Sequence, residues 1–359
     1  MHFFDLAKLH KNLSKDLIKI FEKELVKSDF TLGKNVEIFE KNFSKYIGNK
    51  FGVALSNGTD AINLALRAID IKKGDEVLIS PHTWISAIFS IQILKAKPIL
   101  IDIKDDLNFD EDLIEKKISN KTKAIIITHM HGLPCNMEKI LKITKKKNIK
   151  IIEDCSQSHG AEFKNVKVGN FSDISTFSFY PSKNLGALGE AGICLTNTKA
   201  FYEKIKALRN MGKGKNGDYI YVSSNYKVDG LQAAFLNYKL KYLDKWNLKR
   251  IEIANKFNEK INNPKILKPI SYKDRKHVYH HYVIRSENRT KLIKYLKENK
   301  ITYQIHYPNY IQNYKKVMLV KQNTKNTKRI YTQILSIPCN PSLDKVQVNK
   351  IIKILNNYK

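Results

Sequence analysis

Short apolar runs alternate with amphipathic stretches from about Phe51 to Thr196. FGVAL, EVLIS, PILID, KAIIIT and KIIED are rich in β-branched residues and bounded by polar ones, which predicts buried strands. Between them, DAINLALRAI, WISAIFSIQILK, DEDLIEKKI and MEKILKITKKK carry apolar residues at helical spacing. Such alternation predicts βαβ units and a mostly parallel sheet covered by helices on both faces. Two further strands, ISTFSF and AGICLT, flank the stretch PSKNLGALGE, so Lys183 falls in a loop just beyond a strand end. Ligands of such sheets bind outside the carboxyl ends of the strands.

Outside this core, Leu13, Leu17, Ile20, Phe21 and Leu25 recur at helical spacing between Asn12 and Val26, predicting an amphipathic helix packed on the rest. LQAAFLNYKLKYLDKWNLKRIEIANKFNEKI reads as one long helix running to the Asn262-Asn263-Pro264 break. Beyond it, strand patterns (HVYHHYVIR, ITYQIHY) mix with helical ones (RTKLIKYLKEN, VQVNKIIKILNNY). The fold class expected is α/β: a large domain over residues 1–250, including the N-terminal helix, and a smaller α+β domain over 251–359.

Composition changes this picture little. The 359 residues, 42% of them hydrophobic, suffice for a sizeable core. No run approaches the roughly 18 apolar residues of a membrane span. The start, MHFFDLAKLHKNLSKDLIKI, lacks a secretory layout. A cytoplasmic protein without a membrane partner is expected. The net charge of +30 would suit a polyanion. The lysines, however, are scattered through the predicted helices, which argues against nucleic acid and for a basic surface suited to small anionic substrates. Cys135, Cys155, Cys194 and Cys339 have no CxxC spacing. The pairs His129/His131 and His280/His281 have no acidic or sulfur residues spaced around them as ligands, so no metal is expected.

Chemistry enters with KIIEDCSQSHGA, where the strand ends at Asp154. Alone, Asp154 reads as a polar strand end or a cap. With Lys183 beyond the next strand, the pair acquires a second meaning: a lysine amine condenses with aldehydes, and a carboxylate opposite it holds a pyridinium nitrogen protonated. That combination suits pyridoxal phosphate, which also needs a phosphate cradle and a flat surface against its ring. VALSNGTDAINLAL offers the cradle, as a strand, a turn at Gly58 and a helix whose first turn begins at Thr59-Asp60 with free amides. Trp84 follows another strand end on the same sheet edge and is read either as a ring-stacking surface or as a core tryptophan.

In order and spacing, NGTDAINLALRA, GDEVLISPHTWISA, IIEDCSQSHGA, FSFYPSKNLGALGEAG and SNYKVDGLQAA resemble the blocks of the DegT family of nucleotide-sugar aminotransferases, pyridoxal-phosphate enzymes of the aspartate aminotransferase fold, type I. The resemblance runs from about Phe30 to the C-terminus, through HYVIR, IHYP and LSIPCNPSL. It implies that Lys183 bonds the cofactor and shuttles the proton. Asp154 is then the partner of the pyridine nitrogen, Gln157 lies near the 3-hydroxyl, and Trp84 stacks on the ring. Gly58, Thr59, Asp60 and Ser178 form the phosphate cradle. Asn225 reaches the phosphate of a neighbouring subunit's cofactor, implying a homodimer with shared active sites. Glutamate is the implied amino donor and a nucleotide-linked keto-deoxysugar the acceptor, for polysaccharide or other glycan synthesis.

Tyr180 stands where many members have histidine, and with His306 and Tyr307 of IHYPNY it is expected at the substrate. Sugar dehydratases of the family carry histidine in place of the lysine, so Lys183 favours transamination. MGKGKNGDY spells GxGxxG through Gly212, Gly214 and Gly217, but it follows a helical run and lacks the strand-to-helix setting of a dinucleotide site. It reads as a mobile or solvated loop. Two rival readings stay open: a pyridoxal enzyme acting on another ketone such as a cyclitol, or as a lyase, and a basic nucleic-acid-binding protein reusing the fold.

Overall fold

The computed structural model describes residues 3–315, 317 and 322–359. Its main sheet has seven strands in the spatial order Phe51–Leu55, Gly192–Thr196, Ile174–Ser178, Lys150–Asp154, Thr122–Thr128, Glu76–Ile79 and Lys97–Leu100. Six run parallel, and Gly192–Thr196 runs antiparallel to both neighbours. The strands are apolar on both faces because helices cover both. One apolar layer gathers Leu55, Leu64, Val77, Ile88, Ile126 and Ile174; the opposite face packs Phe39, Phe43, Phe177, Phe179 and Leu236. Register places Thr128, Asp154 and Thr176 side by side at the carboxyl edge.

A separate apolar cluster from Ile253 to Tyr358 surrounds a two-stranded antiparallel sheet, Tyr282–Arg285 with Ile334–Ile337. Helices Arg289–Glu298 and Lys345–Asn356 follow their predicted spans, the latter opened by a capping box from Asp344 and Gln347.

Three expectations need correction. The long helix is two, Gly230–Leu240 and Leu243–Lys260, parted at Lys241-Tyr242 so that Trp246 packs with Leu13, Leu17 and Phe235. ITYQIHY is not a strand: only Gln304 bridges, to Ser336, while Ile301, Tyr303 and Ile305 pack into the small apolar cluster and Gln304, His306 and Tyr307 line a cavity. DEDLIEKKI yields a 3-10 turn and a four-residue helix, Ile114–Lys117. The N-terminal helix, Ser14–Lys27, buries Leu17, with Leu13 just ahead of it, but leaves Phe21, Leu25 and Val26 exposed.

Candidate active site

Four segments converge at the carboxyl edge of the sheet. The first is the turn from Phe51–Leu55 into helix Gly58–Ala68. The Asn57 side chain caps the Asp60 amide at 2.9 Å, while the Gly58 and Thr59 amides have no partner among the described residues. A Cβ on Gly58 would lie 2.5 Å from the Ser178 Cβ, so only glycine lets the helix start approach the strand end this closely. Two unpaired amides beside the Ser178 hydroxyl make an anion cradle. The Asp60 carboxylate turns back to hold Ser56 and, at 2.7 Å, the Asn57 amide, so Asp60 shapes the cradle through its side chain.

Asp154 closes its strand and is buried, accepting the Ser156 amide at 3.1 Å and lying 3.5 Å from the Thr128 hydroxyl. Three residues on, the Gln157 side chain accepts the His131 amide at 2.9 Å and donates to the Tyr307 hydroxyl at 2.7 Å. These bonds fix which end of the amide points where.

The third segment is the Phe179–Ala191 loop. It folds tightly: the Lys183 amide donates to the Tyr180 carbonyl at 2.8 Å and that of Ala187 to Phe179 at 2.7 Å. A Cβ on Gly186 would collide with the Pro181 carbonyl at 2.3 Å. Burial lowers the Lys183 amine from 10.5 to about 8, opposed by the charges of Asp154 and Glu190, so a useful fraction is uncharged near neutral pH.

The fourth wall is Trp84, at the N-terminus of helix Ile85–Ile93. It is 58% exposed, which removes the core-tryptophan reading and leaves a free indole face. Tyr180, Tyr307 and His306 complete the enclosure, with the His306 ring stacked 3.6 Å from that of His281. Burial, then the Lys183 charge, lowers His306 to about 4.

The resulting cavity is about 930 Å³ and brings together every predicted site residue except Asn225. Asn225 is exposed, bridged to Asn210, and outside this cavity. Several lining residues carry no signal in the sequence, Phe3, Phe4, Ser182, Glu190 and Gln304, and His280 and His281 read there only as candidate metal ligands. Phe3 and Phe4 arrive because Asn340 holds the Phe3 carbonyl at 2.9 Å and the Arg250 guanidinium sits over the Phe4 ring. Nothing in the chain around them signals this.

The GxGxxG segment is a hairpin-like loop after helix Lys199–Arg209, with Lys213 bridged to Tyr219 and Lys215 paired to Glu203 at 3.1 Å. His129 does have acidic and sulfur neighbours in space, Glu153 and Cys155. Glu153 is saturated instead by His129 at 2.9 Å and by the amides of Gly169 and Phe171, a lock on the 169–171 loop.

A half-buried amine of lowered basicity, a buried carboxylate, an exposed indole and a two-amide cradle fit pyridoxal phosphate. Comparison with known proteins points the same way. Residues 11–356 match the DegT/DnrJ/EryC1/StrS aminotransferase family, and the chain belongs to it. It is 37% identical over 99% of both chains to a dTDP-3-amino-3,6-dideoxy-alpha-D-galactopyranose transaminase of Aneurinibacillus thermoaerophilus. It is 31% identical to a GDP-perosamine synthase of Escherichia coli O157:H7, over 91% of this chain and 90% of that one. Among solved structures, S. venezuelae DesV in complex with a ketimine intermediate superposes with a TM-score of 0.96 at 29% identity, covering 99% of this chain and 98% of that one. The protein is a pyridoxal-phosphate aminotransferase.

Proposed function

We propose that this aminotransferase moves an amino group from glutamate to the keto group of a nucleotide-linked deoxysugar, producing an amino sugar for a glycan. The observation that carries the reading is the gathering of Lys183, Asp154, Trp84 and the Gly58-Thr59 amides in one cavity of about 930 Å³. That is near the top of the roughly 300–1,000 Å³ usual for small-molecule sites, leaving room for a nucleotide sugar beside the cofactor. The names of the relatives, a dTDP-sugar transaminase and GDP-perosamine synthase, support this substrate class.

When bound, pyridoxal phosphate supplies an electron-accepting ring that acidifies the carbon bearing the amine. Asp154 would keep the ring nitrogen protonated, and its burial away from water would strengthen that interaction. Trp84 would offer its face to the ring, Gln157 would orient it, and Gly58, Thr59 and Ser178 would hold the phosphate. Lys183 would hold the cofactor through Nζ, and its amine would be the base that takes the proton from the amino donor's α-carbon and returns one to the sugar carbon. Tyr180, His306 and Tyr307 contact the substrate.

Domains 1–250 and 251–359 meet at this cavity, a division supported by the separate apolar cluster from Ile253 onward. The enzyme works in the cytoplasm as a homodimer in which Asn225 completes the partner's site. Exposed Phe21, Leu25 and Val26 on one helix support a covered surface there.

The test supplies dTDP-, UDP- and GDP-linked keto-deoxysugars with glutamate and follows 2-oxoglutarate release. Turnover on at least one is expected. Turnover only on a cyclitol ketone, or elimination without amino transfer, would replace the sugar reading. A colourless protein with steeply salt-dependent DNA binding would favour the nucleic-acid reading.

A further inference from the structure

A chain of buried amides ends on the ring of His280, and its directions can be worked out atom by atom. The His159 backbone carbonyl only accepts, so the Asn247 side chain presents Nδ2 to it, at 2.7 Å. The Asn247 Oδ1 therefore faces Asn184, whose Nδ2 donates to it at 2.8 Å and to the Val278 carbonyl at 3.2 Å. With Nδ2 committed to two acceptors, the Asn184 Oδ1 is what meets His280 Nδ1 at 3.1 Å. An amide oxygen cannot donate, so Nδ1 carries the proton. The other nitrogen, Nε2, then bears a lone pair in the neutral ring. It has no partner among the described residues, although His280 is 96% buried and lines the cavity. Asn184 also follows Lys183 directly, so the chain ties the loop bearing the reactive amine to helix Leu243–Lys260 and to the segment before Tyr282–Arg285.

We propose that His280 is a specificity-determining residue of the cavity: locked by Asn184 and Asn247 as the Nδ1–H tautomer, it offers Nε2 as an acceptor to a substrate group that donates a hydrogen bond, an ammonium or a hydroxyl. Carboxylates and phosphates, which only accept, gain nothing there. Burial keeps the ring neutral, and nearby charge adds to it. Lys183 of the loop, Arg250 of helix Leu243–Lys260, His306 and His159 all bear on it after burial itself, and each opposes a second proton. The inference rests on the proposed amino transfer for its substrates, whereas the tautomer stands on the hydrogen bonds alone.

Two measurements test it. Mass-spectrometric exchange of the C2 hydrogen of His280 across pH, read without substrate, should show a titration midpoint well below that of an ordinary histidine, rising in Asn184→Asp, where a carboxylate favours the imidazolium. An ordinary midpoint in the unsubstituted protein overturns the lock. In steady-state kinetics, His280→Phe should raise one KM by roughly three- to ten-fold, the range of one hydrogen bond, with kcat changed less than about two-fold. His280→Gln, which restores an acceptor, should recover most of it. A rise for the amino donor identifies an ammonium and a rise for the keto sugar a hydroxyl; no change in either KM overturns the proposal. Borohydride labelling separates the two levels: label on Lys183 in His280→Phe means the cofactor site is intact, whereas its absence from the unsubstituted enzyme removes the proposed function and leaves the His280 titration untouched.

Discussion

Lys183 and Asp154 act on each other across the cavity. Burial pulls the amine down to about 8, and the carboxylate charge holds it above where burial alone would leave it. Removing that charge in Asp154→Asn should therefore lower the pH at which Lys183 becomes nucleophilic. Competitive amine labelling of the cofactor-free protein checks the sign. The same change should cut turnover by about 10²-fold or more, as loss of a buried charge facing a reacting centre does. An unchanged labelling profile would mean that Asp154 and Lys183 do not share an electrostatic site.

At the scale of elements, the carboxyl edge is built by short bonds that fix loops. Buried Glu153 is the clearest case, holding His129 and the Gly169 and Phe171 amides. Glu153→Ala leaves those groups unpaired in the interior and should cost about 3 kcal/mol in urea unfolding, with catalytic residues in place at low denaturant. These locks also decide what the chain reveals before it is folded. Strand ends at Asp154 and Ser178 are legible, because β-branched runs stop there and the parallel arrangement puts both on one edge. The parting at Lys241-Tyr242 is not: Tyr242 keeps near-helical angles (φ −104°, ψ −8°), with neither glycine nor proline to mark it, and only packing against the N-terminal helix turns the chain. ITYQIHY has strand composition without a partner along its length, and pairing is a tertiary fact. Phe3 and Phe4 reach the cavity through contacts more than 200 residues distant, which no local pattern encodes. His280 needed the amide chain through Asn184 and Asn247 before its ring acquired a direction.

For the whole molecule, the buried histidines set the response to acid. Burial lowers His82, His159 and His277 to about 3 and His306 to about 4; it also pushes His131, His280 and His281 well below the ordinary value. These groups stay neutral when folded but take up protons near pH 6.5 when unfolded. Below that pH the unfolded chain binds more protons, so stability present above about 6.5 is lost as pH falls toward 4. Each histidine contributes up to about 1.4 kcal/mol per pH unit. Thermal melts should show a steep fall in Tm between pH 6.5 and 4.5, and a flat profile there would contradict the buried neutral cluster.

The proposed function turns on one covalent bond, between Lys183 and the cofactor. Borohydride reduction of the holoenzyme followed by peptide mapping tests it most directly. Loss of the visible band is expected, with a reduced pyridoxyl label on the peptide containing Lys183 that is absent in Lys183→Ala. A label on any other lysine, or on none, would contradict it.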